Sequence, residues 1–231
     1  MVETVIERCI RWGYGWACER LYREFAWSYD LVSHGVSVGR WDVWRRIALD
    51  EVQQQGASTQ LMLEIGFGTG ALMALARSAS LPVVGLELSP QMHAVASAKL
   101  ARLQLDASRV QGTAAAMPFA DDSFDVVVST FPAPYILEES TLRECARVLR
   151  EHGCLIIVGL WVTPLMCGRR LHIRPVYAAP SSAQQARVGR LLEDAGFTPS
   201  LTLRRAGGAE VSVVIGRKEA SSASHRYCDA A

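Results

Sequence analysis

The stretch Glu64-Ile65-Gly66-Phe67-Gly68-Thr69-Gly70 carries the densest chemical signal in the chain. Alternate glycines follow a short apolar run, and a carboxylate stands two places ahead of the first glycine. Gly66 permits a sharp turn, Gly68 lets a ligand approach the backbone, and Gly70 lets the next helix start close to the strand. Such a turn reads as a nucleotide-type cofactor site. It does not choose the cofactor, because Gly66-x-Gly68-x-x-Ala71 also satisfies a dinucleotide fingerprint. Glu64 discriminates. A pyrophosphate beside it would meet like-charge repulsion, whereas a ligand bearing a sulfonium and an ammonium group would be favoured. Glu87 closes the second apolar run, the position from which an acidic side chain reaches a ribose diol. Its two oxygens suit adjacent hydroxyls of nicotinamide and sulfonium nucleosides equally. Met92, one turn into the following helix, fits either an adenine face or ordinary core.

These residues need rigid elements behind them. Leu61–Ile65 reads as a buried strand, and helical spacing follows through Leu72, Leu75 and Ala76. Pro82–Glu87 is a second strand; Ser89-Pro90 then supplies an N-cap and a proline at the first helical position. Arg109–Gln111, Phe124–Ser129 and Leu155–Leu160 read as further strands. Thr141-Leu-Arg-Glu144 reads as a capping box, for a helix expected to run to Gly153. His93 is expected to be exposed, and His152 to suit that helix's C-terminal dipole. A helix from Ser182 to Ala195 stops at Gly196, before strands near Leu201 and at Val211–Ile215 that pair as an antiparallel edge hairpin. Alternating units with strands buried on both faces predict an α/β fold with a mostly parallel sheet between helices. Residues 1–55 read as a helical cap within the same domain, 56–217 as the cofactor-binding domain, and 218–231 as a mobile tail.

Composition narrows the classes further. The chain has 231 residues, half of them hydrophobic, and a net charge of +1. That excludes a disordered polymer and argues against dependence on a nucleic-acid backbone. The apolar run Cys154–Cys167 is broken by Gly159, Thr163 and Pro164 and is too short for a membrane span. No leader pattern opens the sequence, and the six cysteines form no C-x-x-C pair. The expectation is a cytoplasmic protein with idle thiols and no metal site. Only Lys99 and Lys218 are lysines, and five of the six tryptophans precede residue 45.

The chain resembles the class I S-adenosylmethionine-dependent methyltransferases, over roughly residues 22–217. It is most similar to the small-molecule branch that includes the ubiquinone and menaquinone C-methyltransferases and the methyltransferase type 11 domain. The resemblance rests on Glu64–Gly70, Gly85–Met92, Gly112–Phe119, Ser123–Ser129 and the run from Leu142 to Gly153. It implies a Rossmann-like, mostly parallel seven-stranded sheet with an antiparallel edge strand, plus the helical cap. It implies S-adenosyl-L-methionine as cofactor. Gly66, Phe67, Gly68 and Gly70 would border its methionine part with Glu64, and Glu87 would bind the ribose. Leu88 and Met92 would flank adenine, Ala114 would offer a backbone amide to it, and Ser129 and Thr130 would line the methionyl side. Tyr29 matches a cap aromatic that closes over the cofactor. Thr113 stands where the family commonly has Asp, so adenine would gain a neutral rather than a charge-assisted bond.

Sulfonium methyl transfer needs alignment above all, and a base only where the nucleophile must lose a proton. Tyr29 and His34 are the candidates for positioning or base catalysis. Phe131 and Tyr135, in a loop stiffened by Pro132 and Pro134, are expected to offer substrate an aromatic wall. That loop is not the Asn-Pro-Pro-Tyr type of amino-methylating DNA enzymes. Arg170, in the cluster Arg169, Arg170, His172 and Arg174, is the candidate partner for an anionic substrate group. Two readings of the tryptophan-rich cap stay open: glue between helices and sheet, or an apolar pocket that takes up lipid-like molecules with transient membrane-surface contact. The expected function is methyl transfer to a small apolar or aromatic metabolite. The alternatives are an NAD-dependent oxidoreductase and a non-catalytic S-adenosylmethionine-binding module.

Overall fold

The computed structural model describes residues 41–55, 61–166, 169–170 and 180–219. Eight strands are present among the described residues: β1 (Met62–Ile65), β2 (Val83–Glu87), β3 (Ser108–Gln111), β4 (Phe124–Thr130), β5 (Leu149–Met166), β6 (Arg169–Arg170), β7 (Phe197–Ala206) and β8 (Ala209–Lys218). Five α-helices accompany them among the described residues: α1 (Trp41–Gln54), α2 (Ala71–Ser78), α3 (Pro90–Arg102), α4 (Glu139–Val148) and α5 (Ser182–Asp194).

The strand order is β3-β2-β1-β4-β5-β8-β7, with the two-residue β6 paired to β5. The first five strands of that order are parallel; β8 runs antiparallel to both β5 and β7. The reversed strand therefore lies second from the edge, and β7 is the outermost strand of the expected hairpin. A period of two along the central strands builds a core on each face. Val126 and Val128 of β4 pack with α1, α2 and α3, while Val127 packs with α4 and α5. The chain leaves β1 toward β2 on one side and returns through β4 on the other. That reversal creates a crevice beyond the carboxyl ends of β1 and β4, where open parallel sheets place their ligands.

Local signals hold at two helices. Ser89 accepts from the Met92 amide and Pro90 opens α3. Ser181 and Gln184 form a reciprocal capping box on α5, which ends before Gly196 at φ 87°.

Three expectations are corrected. Thr141–Glu144 is not a capping box: α4 begins earlier, after Glu138, and Thr141 Oγ1 is buried without a partner. Glu144 is instead taken by Arg147 and the Met117 amide. The helix ends at Val148, not Gly153, because Leu149 turns into β5. Gly153 lies in a bulge of β5, where a Cβ would sit 2.9 Å from the carbonyl oxygens of Asp125 and Arg150. His152, at φ 62° and exposed, belongs to that bulge and faces no helix end. β5 also runs past Leu160, because β8 continues to pair with Val162, Thr163 and Pro164 beyond a second bulge.

Candidate active site

The glycine turn leaves β1 with Gly66, Gly68 and Gly70 at φ 69°, 53° and 73°. All three lie in the left-handed region that a side chain disfavours. A Cβ at Gly66 would collide with the Tyr135 hydroxyl, and one at Gly70 would sit 2.9 Å from Ala96 Cβ on α3. Gly68 is different, since nothing lies within 4 Å of its missing Cβ. Two of the glycines admit neighbours of this chain, and the third is open. Lys99 braces the turn from α3 by donating to Thr69 Oγ1 at 3.0 Å.

Glu64 is 2 % exposed and its Oε2 has no hydrogen-bond partner. Burial pushes its carboxyl up to about 8; Arg45 opposes the shift, Glu87 adds to it, and the Met73 amide and Lys99 pull it down. Gly66, Phe67, Gly68, Thr130 and Phe131 line one pocket with Glu64, and Trp41 and Arg45 of α1 complete it. Arg45 is buried, bonded to Asp42 at 3.1 Å and set 5.7 Å from the centre of the Trp41 ring. Trp41 in turn stacks on Phe131, with ring centres 4.2 Å apart. Phe131 adopts φ 50°, and its ring lies where a Cβ of Gly159 would be.

Glu87 adjoins this pocket. Its Oε2 accepts from the Gly68 amide at 3.0 Å, and its Oε1 from the Ser89 amide at 2.9 Å. Each oxygen has a second lone pair for a ligand hydroxyl. His93, expected to be exposed, is half-buried over the same strand ends. Its Nε2 lies 3.2 Å from the carbonyl oxygens of Glu87 and Val110, and its ring meets Phe67 edge-on at 4.8 Å. Leu88 is 66 % exposed, whereas Met92 is fully buried. Thr113 is exposed and accepts from the Ala115 amide at 3.3 Å, beside the buried Ala114.

Ser129 donates to the Ile65 carbonyl at 2.9 Å and joins β4 to the end of β1. Tyr135, in the 3-10 turn Pro134–Leu137, is hydrogen-bonded to Ser129, and burial raises its phenol well above the ordinary range. The structure thus gathers Glu64, the glycine turn, Glu87, Ser129, Thr130, Phe131 and Tyr135 at one sheet end. Arg170 is described only as backbone, paired with Leu165. Tyr29 and His34 lie outside the described residues. The sequence reading missed Arg45. Nothing local marks it; only packing of α1 against the distant sheet brings it to Glu64.

Residues 63–157 match the family model described as "Methyltransferase domain". Among curated relatives, the demethylmenaquinone methyltransferase of Chlorobaculum parvum is 33% identical over 142 residues, covering 60% of this chain and 57% of that protein. The protein of the same name from Paenarthrobacter aurescens is 28% identical over 217 residues, covering 84% and 83%. The chain thus spans less than two thirds of the first of these relatives. Among solved structures, the geranyl diphosphate C-methyltransferase of Streptomyces coelicolor is similar at a TM-score of 0.56 and 13% identity, covering 75% of this chain and 78% of that one. The [4+2]-cyclase SpnF is similar at 0.57 and 17%, covering 76% and 80%. These structures share the fold, and the cyclase shows that the fold alone does not fix a reaction. Motif order, strand order and the matched segment agree: residues 63–157 are similar to the methyltransferase domain family, and the sheet that carries them has the Rossmann-like fold of the class I methyltransferases.

Proposed function

We propose that the protein transfers a methyl group from S-adenosyl-L-methionine to a small apolar or aromatic acceptor, of quinone-like or lipid-like character. The observation that carries this reading is the buried Glu64 carboxyl, which has an unpartnered Oε2 and comes from a residue lining the pocket with the glycine turn. An anionic pyrophosphate would drive this buried carboxyl further from ionisation, while a cationic ligand supplies the counter-charge that ionises it. When bound, the cofactor supplies a methyl group on a positively charged sulfur, already activated for in-line displacement.

The chain's residues then bind and orient. Gly66, Phe67, Gly68 and Gly70 border the methionine part with Glu64, Ser129 and Thr130. Glu87 takes the ribose hydroxyls, and Leu88, Met92, Thr113 and Ala114 surround adenine. On the acceptor side, Trp41 and Phe131 form a stacked aromatic wall suited to a flat ring. Tyr135, whose hydroxyl lies against Gly66, is proposed as a further aromatic contact, Arg170 for an anionic group, and Tyr29 and His34 for positioning or proton removal. The names of the demethylmenaquinone methyltransferases support a quinone-like acceptor.

Calorimetric titration with S-adenosylhomocysteine and NAD tests the cofactor, and transfer of labelled methyl to a demethylated naphthoquinone in detergent tests the reaction. Binding of S-adenosylhomocysteine without NAD, together with labelled product, is expected. NAD binding alone would replace the reading with a dinucleotide enzyme. Cofactor binding without transfer to any aromatic acceptor would leave a non-catalytic module.

A further inference from the structure

Phe131 follows β4 at φ 50°, a left-handed conformation that a bulky side chain disfavours, and its surroundings must hold it there. Its amide donates to the Val158 carbonyl at 2.7 Å. Its ring rests against Gly159, where any Cβ would collide with Cδ1 and Cε1 of the ring. Trp41 stacks on the ring with centres 4.2 Å apart, and Trp44 tilts toward it at 6.0 Å.

Gly159 owes its place to an irregularity of β5. Between Val158 and Val162 the pairing with β8 slips, and Gly159 adopts φ 83° within that slip. The buried Ser212 hydroxyl accepts from the Trp161 amide at 2.9 Å and fixes the bulge from β8. Bulges beside active sites commonly re-aim a side chain. This one presents a residue with no side chain, and the ring at the end of the neighbouring strand fills the gap. Phe131 also lines the pocket with Gly66, Gly68 and Thr130, whereas Gly159 does not. We propose that Gly159 is a specificity-determining residue: by seating Phe131 it sets where the aromatic wall stands, and hence how far a flat acceptor ring can enter. This rests on the acceptor reading above and adds a residue from outside the pocket lining.

Transfer of labelled methyl to the demethylated naphthoquinone reads KM, and calorimetry with S-adenosylhomocysteine reads the cofactor side. Phe131→Ala should raise KM about three- to tenfold, the change expected when an aromatic pair is lost. Gly159→Ala should raise it by a similar factor, because the added methyl displaces the ring. Affinity for S-adenosylhomocysteine should stay within about twofold of the wild type in both variants. The double variant should match Phe131→Ala within about twofold, since the methyl then has no ring to displace. Gly159→Asn, a change to a type that tolerates positive φ, takes the place of Gly159→Ala if that variant does not fold. Single effects that multiply in the double variant, or cofactor affinity that falls in step with KM, overturn the assignment. A wild type that binds S-adenosylhomocysteine but transfers no methyl to the naphthoquinone would defeat the acceptor reading and this proposal with it.

Discussion

Glu64 keeps its proton up to about pH 8 because burial penalises the carboxylate more than Arg45 and Lys99 favour it. An unfolded chain releases that proton near the ordinary value of 4.5. The stability linked to Glu64 is therefore fully present below about pH 4.5 and is lost as pH rises through 8. Glu64→Gln keeps the shape without the titration. Its thermal midpoint should exceed that of the wild type by a margin that grows between pH 6 and pH 9, measured in matched melts. A constant margin would mean that the folded carboxyl is already ionised. Thr113 poses a smaller test. Its hydroxyl is a neutral acceptor, so Thr113→Asp should tighten cofactor binding several-fold in calorimetry. No gain would separate this side chain from adenine recognition.

At the scale of elements, the loop after β3 depends on α4. Arg147 donates to the carbonyls of Met117 and Phe119 and to Asp121 and Glu144, while Glu144 accepts from the Met117 amide at 2.6 Å. Arg147 holds the Glu144 carboxyl below its ordinary range. Arg147→Ala should cost about 2 kcal/mol, since several charged hydrogen bonds vanish and carbonyls lose partners. It should also speed amide exchange around Met117, which hydrogen-exchange mass spectrometry would detect. Glu144 shows why parts of the molecule were illegible in the sequence. A Thr followed three places later by Glu has the form of a local cap, but the carboxylate is claimed by a residue 27 positions away in sequence. The glycine turn, Glu87, Ser89 and the stop of α5 before Gly196 were legible because their partners lie within a few residues or follow from strand order. The continuation of β5 through Pro164 was hidden, because pairing with β8 overrides the break that Gly159 and Pro164 suggest. Arg45 was hidden for the same reason.

Across the whole molecule, α1 joins the two ends of the described chain. Trp44 is buried and its Nε1 donates to the Ala206 carbonyl at 2.9 Å. Glu51, also buried, accepts from Arg204 at 2.7 Å, and Gln55 accepts from Arg217 at 2.6 Å. These contacts fasten the helix that carries Trp41 and Arg45 to β7 and β8. Trp44→Phe keeps most of the buried ring but leaves the Ala206 carbonyl without its donor, so denaturant unfolding should show a loss of about 1–2 kcal/mol. A cofactor affinity that falls further than this stability loss explains would indicate that α1 has shifted at the pocket.

The fastening of α1 has a consequence during synthesis. Its partners on β7 and β8 lie 153 to 162 residues further along the chain. At ordinary translation speed that separation is about ten to thirty seconds of ribosome time. Through that interval Trp44, Ile47 and Val52 can pack only on elements already made, β4 and β5 among them, while the Trp44 indole and the Glu51 carboxylate still lack their partners on β7. The first described helix to be made is thus the one whose polar ties close last, so a nascent chain stalled before β7 holds α1 by apolar packing alone.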